Sequence, residues 1–140
     1  MAGRMSPLHS AAGLTGNNVA TSVPAASRNG GSSNADVNGE TLNVQGKRGV
    51  IFILNQGATT GSAATAARVQ VNDLPSDPAN GNWSNVNYTT YSNARITNQT
   101  TDNQQYIMDV STASLSYPVV RAVLTPEANV ALAGISHIIY

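Results

Sequence analysis

The chain has 140 residues with seven basic and seven acidic side chains, so its formal net charge is zero, and it contains no cysteine. That length fits one domain. A charged fraction of 10% and a zero balance argue against a nucleic-acid binder, which normally carries a basic excess, and the missing cysteines exclude disulfides, thiol nucleophiles and thiolate metal sites.

In chain order, residues 1–39 read as an extended, low-complexity arm. Gly3, Gly13, Gly16, Gly30 and Gly31, with Pro7 and Pro24, punctuate a polar, alanine-rich background, and no period of 2 or 3.6 persists. No apolar run follows Arg4, so neither a signal peptide nor a membrane helix is expected. The N-x-S/T triplets at Asn82, Asn87 and Asn98 are accordingly read as coincidence. Two readings of the arm stay open. It is a tail without a binding role, or it orders along a neighbouring subunit through Leu8, Leu14, Val19 and Val23. With Arg28, these four are the candidate partner contacts.

From Glu40 to Tyr140 the pattern becomes that of a β-sandwich domain. Thr41–Gln45 alternates, and Gly46–Gly49 reads as a turn carrying Lys47 and Arg48. Val50–Leu54 is a continuous apolar run, expected to be buried on both faces. Asn55–Ala64 reads as a loop. Ala67–Val71 alternates with Val69 and Val71 on one face, and Asp73–Asn82, with Pro75, Pro78 and Asn80-Gly81, is the strongest turn signal. Trp83–Tyr91 and Ala94–Asn98 read as strands. Tyr106, Met108 and Val110 share a face opposite Ile107 and Asp109. Tyr117–Leu124 tolerates Pro118 near its start. In Val130–Tyr140, Gly134 marks a bulge or a close approach. About eight short strands without a helical period predict an all-β, two-sheet sandwich, with a jelly roll favoured over an immunoglobulin-like arrangement.

Chemistry-bearing residues are sparse. His137 shares a face with Ile135 and Ile139 and reads as packed, while His9 lies far away in the arm; two distant imidazoles do not make a zinc site. Asp73 and Asp77 fit turn chemistry better than a calcium loop or a glycosidase pair, and nothing brings Asp102 or Asp109 to either. Gly57–Ser62 has no lysine after it and no predicted helix, so it is not a phosphate loop. No cofactor, no metal and no enzymatic activity are expected. Trp83, Tyr88 and Tyr91 read as half-exposed packing, or alternatively as stacking platforms for a sugar. Six of the seven cations are arginines, at 4, 28, 48, 68, 95 and 121, a bias that fits interfaces.

The strand-rich part, with G-V-I-F-I-L-N, A-R-V-Q-V-N-D, N-G-N-W-S-N-V, Y-P-V-V-R-A-V-L-T and V-A-L-A-G-I-S-H-I-I-Y, resembles the small β-sandwich virion proteins of tailed bacteriophages, and in length and jelly-roll pattern their capsid cement proteins. The resemblance covers about Leu42 to Tyr140 and describes strands and turns; the long arm departs from it. It implies a decoration protein on the capsid exterior, made in the host cytoplasm, that bridges copies of the major capsid protein and associates with itself as a dimer or trimer. No direct contact with nucleic acid or membrane is expected. The alternative expectation is a carbohydrate-binding module of a head or tail fibre.

Overall fold

A computed structural model describes residues 19–29, 35–59, 65–87, 94–99, 101–126 and 130–140. They form ten strands and one 3-10 turn at Thr112–Ser114. The strands are β1 (Val19–Asn29), β2 (Val37–Asn38), β3 (Leu42–Asn43), β4 (Gly49–Thr59), β5 (Thr65–Asn72), β6 (Trp83–Asn85), β7 (Arg95–Gln99), β8 (Gln104–Ser111), β9 (Val119–Pro126) and β10 (Val130–Ile139). They make two antiparallel sheets. Sheet A runs β1-β10-β4-β8; in sheet B, β9 pairs with β2 and β3 on one side and with β5 on the other, and β5 pairs in turn with β6 and β7. The protein is therefore an all-β, two-sheet sandwich. No helix among the described residues is long and apolar enough to cross a membrane.

Side-chain alternation builds the core. In β4, Val50, Phe52 and Leu54 are fully buried; in β5, Ala67, Val69 and Val71 are buried; in β8, Met108 and Val110 are; and from β9, Val120, Ala122 and Leu124 join them. One face of each sheet meets the other, as period-2 patterning requires. Ile51 and Ile53 are half-buried, so the apolar run of β4 is buried on one face and not on both. The strand buried on both faces is β9, where Val119 and Val123 are also sealed from solvent.

The sheets also begin earlier in the chain than the sequence pattern indicates. β1 and β2 both precede Glu40, inside the segment read as an arm. β1 pairs along its length with β10, from Val19 opposite Ile138 to Asn29 opposite Val130. Its alternation is hidden because the register shifts twice, between Thr21 and Val23 and between Val23 and Ala26. Gly134 explains the second shift. A Cβ there would lie 2.8 Å from the Ala25 Cα and 2.9 Å from the Val23 carbonyl oxygen, so only glycine allows β1 to lie this close over β10.

β4 continues through the stretch expected to be a loop. Asn55 and Gln56 pair with Gln105 and Gln104 of β8. The Gln56 side chain is buried, and its amide nitrogen donates to the carbonyls of Gln99 and Thr101, each at 2.9 Å, while its oxygen accepts from the Thr65 hydroxyl. A glutamine that meets its hydrogen-bonding needs in this way can sit inside a strand without a desolvation penalty. Its polarity is what made the segment look like a loop.

Candidate docking faces

The turn between β5 and β6 shows the expected carboxylate chemistry. Asp73 accepts from the Asn82 backbone N–H at 2.7 Å and from its side-chain amide at 3.0 Å, and these bonds hold its carboxyl below the usual carboxylate range. Asp77 accepts from the Asn80 amide at 2.7 Å. Asn72, fully buried, accepts from the Leu74 N–H at 2.8 Å and donates to the Pro78 carbonyl at 3.0 Å. Both aspartates are thus spent on closing turns. Asp109 accepts from the Tyr140 hydroxyl at 2.9 Å. Among the described residues no group of three or more His, Asp or Glu side chains is placed to hold a metal ion.

His137 is packed, as its place among isoleucines predicts. It is buried, its ring centroid lies 6.3 Å from that of Phe52, and its Nδ1 is 2.6 Å from the Ser22 Oγ. Burial pushes its pKa below the ordinary value.

Of the candidate partner contacts, Leu8 and Leu14 lie outside the described residues. So do His9, Tyr88 and Tyr91. Val19 starts β1 and is half exposed, with 51% of its surface accessible. Val23 is in the core with 1% accessible, so it cannot fill a partner's pocket; the register shift turns it inward. Arg28 belongs to β1, with its backbone opposite Ala131.

Two surfaces stand out. The first is the outer face of sheet A. Register places Val19, Ile138 and Ile51 in one row, with Asp109 at its end, and Ile53 beside Ile107 in the next. Ile107 is 63% accessible and Leu132 46%, while Ile51, Ile53 and Ile138 are half-buried. An aliphatic stripe therefore crosses all four strands. It is edged by amides, with Gln105 donating to Asn55 at 2.8 Å and Asn55 to the Ser136 hydroxyl at 3.2 Å. Beyond them an open depression of about 270 Å³ is lined by Ala25, Asn55, Gly57, Gln104, Gln105 and Leu132. The legible signal for this face was Ile107, an isoleucine on the polar side of an alternating strand.

The second surface is the outer face of sheet B, which carries a polar network that the linear sequence does not reveal. Arg68 pairs with Asp36 at 2.5 Å, and also donates to the Thr125 hydroxyl at 2.9 Å and to the Asn85 amide oxygen at 3.1 Å. The Thr125 hydroxyl donates to Asp36 at 2.7 Å. Arg68 above all, by its hydrogen bond, holds the Asp36 carboxyl below its ordinary range. One strand over, Arg121 donates to the Gln70 amide oxygen through Nε at 3.0 Å and Nη2 at 2.8 Å, and its guanidinium lies 4.2 Å over the Trp83 ring. One face of Trp83 is thus already covered by a cation, which weakens its use as a sugar platform.

The described residues thus place an aliphatic stripe on one outer face of the sandwich and an arginine network on the other. Comparison with protein-family models, curated proteins and solved structures finds no match.

Proposed function

We propose that this chain is a structural virion protein of a tailed phage, cementing the capsid by bridging major capsid protein subunits on the outer shell. The aliphatic stripe across sheet A is the observation that carries this reading. Contiguous apolar surface on a folded domain marks an interaction site. Val19, Ile138, Ile51, Ile53 and Ile107, five aliphatic side chains laid across four strands, offer apolar area for docking. Many weak contacts of this kind, repeated over a shell, add up through multivalency.

The strand order supports a jelly roll. With β2 and β3 counted as one strand, and β6 and β7 as another, sheet A becomes 1-8-3-6 and sheet B 2-7-4-5. First pairs with last, and the chain crosses between the sheets at every step except 4 to 5, which pair within sheet B, as in two rolled-up Greek keys. Jelly rolls occur in viral shell proteins and also in lectins, so this support is by fold analogy alone.

The test is co-sedimentation of the purified chain with DNA-filled shells. Stoichiometric binding is expected, together with its loss in Ile107→Lys, a substitution that leaves circular dichroism and the urea midpoint unchanged because Ile107 lies outside the core. Recovery of the chain only in the unbound fraction would remove the capsid role.

A further inference from the structure

We infer that Arg121, clamped between Trp83 and Gln70, is a docking point for a carboxylate presented by an acidic segment of a partner protein. The inference rests on the docking role proposed above and assigns a partner chemistry to sheet B.

A guanidinium carries five N–H donors. Gln70 takes one from Nε and one from Nη2 through a single oxygen. Three donors remain, one on Nη2 and two on Nη1, and among the described residues no acceptor takes them. The Nη2 donor and one of the Nη1 donors form the end-on fork, whose spacing matches the two oxygens of a carboxylate. The fork is also held in place, by the Trp83 ring beneath it and the Gln70 oxygen at its side, so binding would cost little side-chain freedom.

The charge arithmetic points the same way. Asp36 is committed to Arg68 and Thr125, and among the described residues Arg121 has no ion pair. Arg95 lies directly opposite Arg68 on the neighbouring strand. Val119 and Val123, two residues either side of Arg121 on β9, are sealed from solvent. Asp36, already bonded to Arg68, attracts Arg121 without touching it, and a half-buried cation beside apolar neighbours gains from a carboxylate brought into direct contact. The same low-dielectric surroundings strengthen the pair once it forms. A carboxylate on a flexible Asp or Glu side chain can reach the fork end-on and leave Arg121 on the Trp83 face it covers.

Trp83 is the only tryptophan and touches Arg121, so its emission reports on the site. The full chain is titrated with poly-L-glutamate at neutral pH and low salt, following Trp83 fluorescence and, in parallel, calorimetry. A saturable response is expected, with poly-L-glutamine giving none. Affinity should fall tenfold or more in Arg121→Gln and by a smaller factor in Arg121→Lys, which keeps the charge and loses the fork. Three results would overturn the inference: no saturable response, equal affinity in a folded Arg121→Gln, or tighter binding of polyphosphate or polygalacturonate than of poly-L-glutamate. Shell sedimentation separates the two readings. Failure of the wild-type chain to bind shells while the Arg121-dependent response persists would remove the capsid role and keep the carboxylate site. Wild-type shell binding by Arg121→Gln, with no probe response in either protein, would do the reverse.

Discussion

His137 and Ser22 show what a buried polar residue contributes at the edge of this core. The imidazole packs near Phe52 and meets a hydroxyl at its Nδ1. Burial holds its pKa below 6.5, outweighing the Glu40 carboxylate that pulls the other way. Between the folded pKa and 6.5 the unfolded chain therefore binds a proton that the folded chain does not. By linkage, this contribution to stability is complete above about pH 6.5 and is lost as the pH falls through that window. The urea midpoint should drop between pH 8 and pH 5, and His137→Gln, which stays neutral and can still bond to Ser22, should flatten the profile there. A wild-type midpoint that is level across this range would contradict the assignment. Asp36 belongs to a different window. Its lowered pKa makes its stabilisation complete above about 3.8, and this is lost only at lower pH.

Among the elements, β1 is the one that changes the picture of the chain. The sandwich was legible from Thr41 onward because β5 and β8 alternate and β9 and β10 are rich in valine and isoleucine between turn signals, and glycine at 134 correctly marked a close approach. β1 was not legible. Two register shifts break its period, and alanine, serine and proline fill positions that valine or isoleucine would normally take. Tertiary pairing with β10, and not local propensity, makes it a strand. Likewise Gln56 disguised the second half of β4, and the pairing of Arg121 with Trp83 brings together residues nearly forty positions apart. A chain starting at Val19 keeps every described strand and should unfold near the wild-type urea midpoint. A chain starting at Val37 loses β1, the Val23 side chain and the cover over β10. Val23 alone is worth about 2 kcal/mol, and an edge strand with its ladder more. Against a total of about 5–15 kcal/mol for a domain, the shorter chain should be largely unfolded by circular dichroism. A cooperative transition at the wild-type midpoint in that chain would show β1 to be dispensable.

At the scale of the whole molecule, few charges and an exposed aliphatic stripe act together. With a sequence pI near 6.7, the free protein carries almost no net charge at neutral pH, so electrostatic repulsion does little to keep two stripes apart. In the free protein, with no shell to occupy the stripe, face-to-face pairing of sheet A across a two-fold axis would bury Ile107 against the partner's Ile53 row, since a self-complementary patch meets itself in such a dimer. This association should be driven by apolar area, and so be insensitive to salt, whereas ion pairing would weaken as salt shortens the screening length. Sedimentation velocity is expected to show concentration-dependent association at pH 7 that persists when sodium chloride is raised tenfold. Ile107→Lys places a charge at the most exposed point of the stripe and should shift the protein to monomer with its fold intact. Arg121→Gln, on the opposite sheet, should leave the association constant unchanged. Loss of association on adding salt, or equal loss in both variants, would show that the stripe is not the surface that drives it.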